Sequence, residues 1–161
     1  MTTFDASTFA ATGGSAVTAH GRFHYEAWGD PGDRLEVSGF TAPSSGEYLV
    51  QALYGNGAGA VDTGITAAVK RVLVEDVATG AIVGDGVLVM PHLGTWVRWE
   101  DSSLVRVTLE AGHAYRFIVR DDDDTVNMSV FQHFADYTAG TGGRDGAFAR
   151  VNIAELRVLR L

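Results

Sequence analysis

Three tryptophans are the residues best suited to meet a ligand. Trp28 lies in Glu26-Ala27-Trp28-Gly29-Asp30, while Trp96 and Trp99 share Gly94-Thr95-Trp96-Val97-Arg98-Trp99-Glu100-Asp101. Glycine and charged residues surround each of them. An indole in such a loop presents a flat face of negative potential. The slightly positive C–H groups of a sugar ring pack on that face by the same electrostatics that draws cations to it. Neighbouring Asp, Glu, Asn and Arg side chains can then bond hydroxyl groups. The plainer expectation is that these rings pack the edge of a β-structure. Trp96 and Trp99 are three positions apart, so in a strand they face opposite sides, and at most one meets a given ligand.

Other residue types offer less. The run 121–124 is four aspartates, followed by Thr125 and Asn127. Hard cations such as calcium take several oxygen ligands, so the run is a candidate metal loop. It lacks the glycine and terminal glutamate of a helix–loop–helix calcium site, and a solvated hairpin tip explains it as well. Five histidines occur, with His20 and His24 four apart. Gly21 stands where a zinc-protease helix carries its glutamate, and the surrounding residues do not read as a helix. No GxSxG elbow and no phosphate-cradling GxxxxGK[ST] is present. A glycosidase needs two carboxylates at a set separation, which twenty acidic residues neither establish nor exclude.

Composition bounds these options. The chain has 161 residues, no cysteine and a net charge of -8. Thiolate metal sites, disulfides and a cysteine nucleophile are thereby excluded. The only lysine is Lys70, and the arginines are scattered. Without a basic stripe, nucleic acid and anionic membrane surfaces are poor partners. No apolar run approaches the roughly 18 residues of a membrane-spanning helix. Residues 1–11 lack the basic and apolar regions of a signal peptide, which leaves a cytoplasmic protein or a domain excised from a longer chain.

The elements that must position these side chains are strands. Residues 34–37, 47–54, 67–76, 81–90, 104–109, 114–120, 126–134 and 151–159 are β-rich or alternating. In 104–109, Val105, Val107 and Leu109 share one face, and Tyr115, Phe117 and Val119 share one in the next run. Ala78-Thr79-Gly80 joins two runs as a hairpin turn. Pro43-Ser44-Ser45-Gly46, Gly55-Asn56-Gly57, Glu110-Ala111-Gly112 and Gly140-Thr141-Gly142-Gly143 read as further turns. We expect one all-β domain over 1–161, with about eight or nine antiparallel strands in a sandwich or barrel.

The order of several motifs resembles carbohydrate-binding modules of families 6 and 35. Gly32-Asp33-Arg34-Leu35-Glu36-Val37, Pro43-Ser44-Ser45-Gly46-Glu47-Tyr48 and Leu53-Tyr54-Gly55-Asn56 follow their "GDWVEY…AGTYTL…RYAN" pattern. Thr95-Trp96 through Glu110-Ala111-Gly112-His113 is similar to "W-x-x-W…V-x-L-x-A-G". Val151-Asn152-Ile153-Ala154-Glu155-Leu156 is similar to the closing "NIDYIEL", and Phe4-Asp5-Ala6-Ser7 to the opening "YEAE". The resemblance implies a jelly-roll β-sandwich that binds a poly- or oligosaccharide without cleaving it. It also implies attachment to the catalytic domain of a secreted glycoside hydrolase or lyase, and hence an extracellular location.

Carried over by position, the implied ligand residues are Tyr25 or Trp28, Trp96 or Trp99, and Asn152. The resemblance also implies a structural Ca2+ held by opening and closing carboxylates. Here those positions are Asp5, Ser7 and Ala154, so only Asp5 keeps its carboxylate. Arg34 replaces the usual aromatic after Gly32-Asp33. The segment 121–146 is long for a connection, and Asn127, Gln132, His133, Asp136 and Tyr137 in it have no counterpart in the pattern. Two other readings stand beside this one. The first is a structural or protein-interaction sandwich that has lost sugar binding. The second is a small hydrolase or lyase working through His92, His133 or an acidic pair. Trp96→Ala separates a ligand role from a core role. A stacking Trp96 gives lost binding with stability kept within about 1 kcal/mol. A core Trp96 gives a loss of roughly 3–5 kcal/mol in denaturant unfolding.

Overall fold

The computed structural model describes residues 1–30, 32–57, 67–120 and 150–161. Among them are twelve strands and one 3-10 turn, Ala6–Thr8. The strands are β1 (Thr2–Asp5), β2 (Ala10–Thr12), β3 (Ser15–Ala19), β4 (Arg22–Trp28), β5 (Arg34–Thr41) and β6 (Gly46–Asn56). They continue with β7 (Ala67–Asp76), β8 (Ile82–Pro91), β9 (Thr95–Asp101), β10 (Val105–Leu109), β11 (Ala114–Arg120) and β12 (Val151–Arg160). The all-β sandwich is as expected, with more strands than the eight or nine counted from the sequence. The additional strands lie mostly in the first thirty residues, where β1 to β3 are only three to five residues long. Such short pieces carry too few alternations to register as a period. The run 126–134 lies outside the described residues.

Two antiparallel sheets face each other. The five-stranded sheet runs β2-β5-β11-β7-β8. The seven-stranded sheet runs β10-β6-β12-β4-β3, with β1 added to β12 and β9 added to β6. β6 and β12 are long enough to serve two neighbours along one edge. β6 pairs β10 through Gly46 to Val50 and β9 through Leu53 to Asn56. β12 pairs β4 near Val151 and Ile153, and β1 from Glu155 to Val158. This sharing explains why β6 and β12 are apolar along most of their length, whereas β10 alternates strictly between buried and exposed.

The space between the sheets is filled by Trp28, Tyr48, Tyr54, Tyr115, Phe117, Leu88 and Met90 with smaller apolar side chains. Each buried tyrosine finds a partner for its hydroxyl. Tyr48 donates to the Ser44 carbonyl at 2.7 Å and Tyr54 to the Pro91 carbonyl at 2.9 Å. Tyr115 accepts from the Glu110 amide at 2.9 Å. Burial, helped by the charge of Glu100, pushes the Tyr54 phenol up to about 12. Close approach between strands is bought with glycine at the β8–β10 contact: a Cβ on Gly86 would lie 2.4 Å from a methyl of Val105.

One ion pair ties two turns together. The Asp76 carboxylate ends β7, accepts from the Ala78 and Thr79 amides, and meets Nδ1 of His113. His113 also stacks beside Tyr115 and sits 3.5 Å from Glu110. The hydrogen bond to Asp76 raises the His113 pKa above its ordinary 6.5, and the same bond holds Asp76 below 3.8. The raised histidine contributes stability that is complete below pH 6.5 and fades as pH rises through its folded value. The depressed carboxylate contributes stability that is complete above pH 3.8 and fades as pH falls through its folded value. The pair is therefore at full strength between those ordinary values. Melting temperature measured against pH should fall on the neutral-to-alkaline side in the parent chain, and His113→Gln should flatten that limb.

Candidate functional site

Five chain segments converge at one end of the seven-stranded sheet. β4 and β6 finish there, and β3, β9 and β12 begin there, as their antiparallel registers require. A pocket of about 300 Å³ opens among them. Ser15, Glu26, Ala27, Trp96, Arg150 and Asn152 line it. Trp96 is partly exposed and is the one aromatic residue in that lining.

Two features hold Trp96 in place. The first is the Gly55-Asn56-Gly57 stretch. Its first two residues are the end of β6 rather than a turn. The glycines serve close approach instead: a Cβ on Gly55 would lie 2.7 Å from the Trp96 carbonyl oxygen, and one on Gly57 would lie 2.5 Å from its amide nitrogen. Asn56 between them is buried and donates to the Met90 carbonyl at 3.0 Å. The second feature is Asn152. Its side-chain oxygen accepts from the Ala27 amide at 3.1 Å, and its amide nitrogen donates to the Trp96 carbonyl at 3.2 Å. Asn152 thus clamps two walls of the pocket while being only 1% exposed.

Ala27 has φ +52°, a left-handed conformation that costs a non-glycine residue energy. It lies where β4 and β12 slip register, between the pairs Trp28–Val151 and Tyr25–Ile153. This bulge decides the fate of Trp28. By simple alternation Trp28 belongs on the outer face with His24 and Glu26. The extra residue turns it inward instead. Trp28 is fully buried, donates to the Thr12 carbonyl at 3.0 Å, and lies 5.7 Å from the ammonium of Lys70. Lys70 is itself fully buried and donates to the Gly29 carbonyl at 2.8 Å. The expectation that Trp28 meets ligand is corrected: it is a core side chain.

The other expected residues also fall into place. Tyr25 is half-buried at the core margin, stacked on Phe9 at 6.5 Å and 7°, and lies outside the pocket. Trp99 is not among the residues that line the pocket. It donates to the His20 carbonyl at 3.2 Å, meets His24 edge-on at 5.1 Å, and carries the Arg22 guanidinium 5.0 Å over its face. That face is occupied within the chain. Asp5 caps the Ala6–Thr8 turn by accepting from Ser7 N at 2.9 Å. Ser7 offers its backbone amide to Asp5, and Ala154 has no side-chain oxygen. Among the described residues no three His, Asp or Glu side chains gather to hold a metal ion. Arg34 pairs with Glu36, which also meets Arg116, and so belongs to a charge network away from the pocket. The aspartates 121–124 and the residues Asn127, Gln132, His133, Asp136 and Tyr137 lie outside the described residues.

Charge at the pocket is unevenly matched. Arg150 forms two bonds to Asp30, at 2.7 and 3.0 Å. These bonds, with the charges of Asp30 and Asp33, raise its pKa above the ordinary guanidinium value. Asp33 accepts from the Gly29 and Asp30 amides at 2.9 Å each and so shapes the turn that carries Asp30. Glu26 is exposed, and no hydrogen bond or ion pair of its side chain occurs among the described residues.

No protein-family model and no curated protein matches this sequence. Solved structures do match. A family 35 carbohydrate-binding module from Clostridium thermocellum superposes with a TM-score of 0.61 at 14% identity, over 99% of this chain and 98% of that one. A family 6 module from Cellvibrio mixtus lichenase 5A, solved with cellotriose, gives 0.58 at 18% identity, covering 99% and 97%. The Arthrobacter globiformis T6 isomalto-dextranase, solved with panose, gives 0.63 at 20% identity, where 98% of this chain covers 23% of the enzyme. This chain has the fold of family 6 and family 35 carbohydrate-binding modules. At such identities the likeness is one of fold.

Nothing in the sequence alone marks Ser15, Glu26, Ala27 or Arg150 as site residues. Glu26 and Ala27 precede Trp28, and Arg150 precedes Val151-Asn152, so these three are chain neighbours of candidate ligand residues. The missing signal was the strand pairing that turns these neighbours toward one another. Asn152→Ala removes both clamping bonds and leaves buried partners unmet. It should cost about 2–3 kcal/mol in urea unfolding and alter the Trp96 contribution to the emission spectrum.

Proposed function

We propose that this chain is a non-catalytic glycan-binding module whose ligand site is the Trp96 pocket. The carrying observation is the convergence of a partly exposed indole with Glu26, Ser15, Arg150 and Asn152 in a cavity of about 300 Å³. That volume suits part of an oligosaccharide rather than a long groove. The apolar face of a sugar ring stacks on Trp96, and hydroxyls donate to Glu26 or exchange bonds with Ser15. Arg150 keeps N–H donors beyond the two it gives Asp30. Asn152 acts first by holding Trp96 and Ala27 in position.

A binding role is supported over a hydrolytic one by the state of the carboxylates. Glu26 lines the pocket, while Asp30 is occupied by Arg150. A second free carboxylate, needed for glycosidic cleavage, is not assembled there among the described residues. The superposition on one part of a larger dextran-cleaving enzyme supports an accessory role. In that role the module holds a joined catalytic domain of a secreted hydrolase or lyase near a poly- or oligosaccharide, outside the cell.

Tryptophan fluorescence titrated with plant, algal and bacterial polysaccharides, with and without calcium, tests the reading. One class of glycan should give a saturable shift that disappears in Trp96→Ala. A response that needs calcium would support a structural Ca2+ with Asp5 among its ligands, and an unchanged response would speak against one. No response across the panel would overturn the reading and favour a protein-interaction sandwich.

A further inference from the structure

The two formal charges that line the pocket are not equivalent. The guanidinium of Arg150 is matched by both oxygens of Asp30, at 2.7 and 3.0 Å, with Asp33 close behind. Glu26 lines the same cavity and is exposed, with no side-chain partner among the described residues. Trp96 lines the cavity as well. The cavity therefore presents an unmatched negative charge beside a π face, in a chain whose net charge is -8.

We propose that the pocket selects saccharides by charge and prefers those bearing a free, protonated amine, as in a deacetylated hexosamine, over neutral and anionic sugars. This rests on the glycan-binding reading above. An ammonium group between Glu26 and Trp96 gains a charge-assisted hydrogen bond and a cation–π contact together. N-acetylation removes both gains while leaving the ring free to stack. A uronate or sulfated sugar meets repulsion from Glu26, finds Arg150 already matched, and approaches through the field of an acidic protein. Glu26 is on this account a specificity-determining residue, and Trp96 supplies the general affinity for a ring.

Isothermal titration calorimetry with the full chain tests this near pH 6. The probes are tetrasaccharides of β-1,4-linked glucosamine, its N-acetylated form, a neutral glucan and a uronate, with n-butylamine as an amine without a sugar ring. The glucosamine oligomer should bind about five- to tenfold tighter than its acetylated form, the scale of one partly screened charge pair. That preference should shrink on raising salt from about 50 to about 500 mM. Glu26→Gln should bring the two forms within about twofold, and its melting temperature should match the parent because the side chain has no partner among the described residues. Equal affinity for both forms, a preference for the uronate, or an amine preference that survives Glu26→Gln would overturn the charge selection while leaving a glycan site at Trp96. Competition by n-butylamine as effective as the oligomer would overturn it as well, by showing a site for amines at large. Binding of none of the tetrasaccharides would overturn this inference and the glycan reading together.

Discussion

The pairing of β12 with β6 carries the architecture and, at its N-terminal end, the site. β12 meets β6 along one edge and both β4 and β1 along the other. A strand shared in this way is buried on its inward face by Val151, Ile153, Leu156 and Val158. Its start is therefore held firmly, and Asn152 is the second residue of it. A buried amide so placed can bond in two directions with little freedom to lose. It uses that position to fix the Ala27 amide on one strand and the Trp96 carbonyl on another. The pocket is thus a by-product of strand pairing, preorganised before any ligand arrives.

The register slip at Ala27 has consequences on both sides of the sheet. Inward, it delivers Trp28 to the core, where Lys70 sits against the ring and reaches the Gly29 carbonyl. A buried ammonium is tolerable only with close compensation, and the π face and carbonyl are part of it. Outward, the same slip leaves Ala27 on the pocket wall beside Glu26 and Ser15. One strained residue therefore separates the structural tryptophan from the surface that a ligand meets. Strain of this kind persists where the surroundings over-determine it, and the bond from Ala27 to Asn152 is one such constraint.

Ion pairs elsewhere act mainly between strands. Arg22 and Arg157 both reach Glu155, and Arg157 reaches Asp101 across the seven-stranded sheet. Arg34, Glu36, Arg116 and Glu75 form a similar ladder on the five-stranded sheet. These partly exposed pairs contribute little each to stability, though they discourage alternative registers because a one-residue slip would place charges inside. Against this background, the Glu26 carboxylate has no side-chain partner among the described residues.

The sequence by itself determined the fold class. Strict alternation in Val105 to Leu109, the inward set Tyr115, Phe117 and Val119, and the Ala78-Thr79-Gly80 turn all have the places in the sandwich that their residue types imply. The reason is that a period-2 apolar pattern is a local property of the chain. The resemblance of ordered motifs likewise brought forward Trp96 and Asn152, which the structure places together. The short strands β1 to β3 were not legible, because three to five residues hold too little pattern. Only the tertiary structure decided which tryptophan faces solvent. A bulge reverses the side to which Trp28 points, and a local period holds no record of a slip between two strands 120 residues apart. The partners of Arg150 and the isolation of Glu26 were settled in the same way. Both depend on which distant strand ends meet, and that is fixed by packing of the whole sandwich rather than by any one segment.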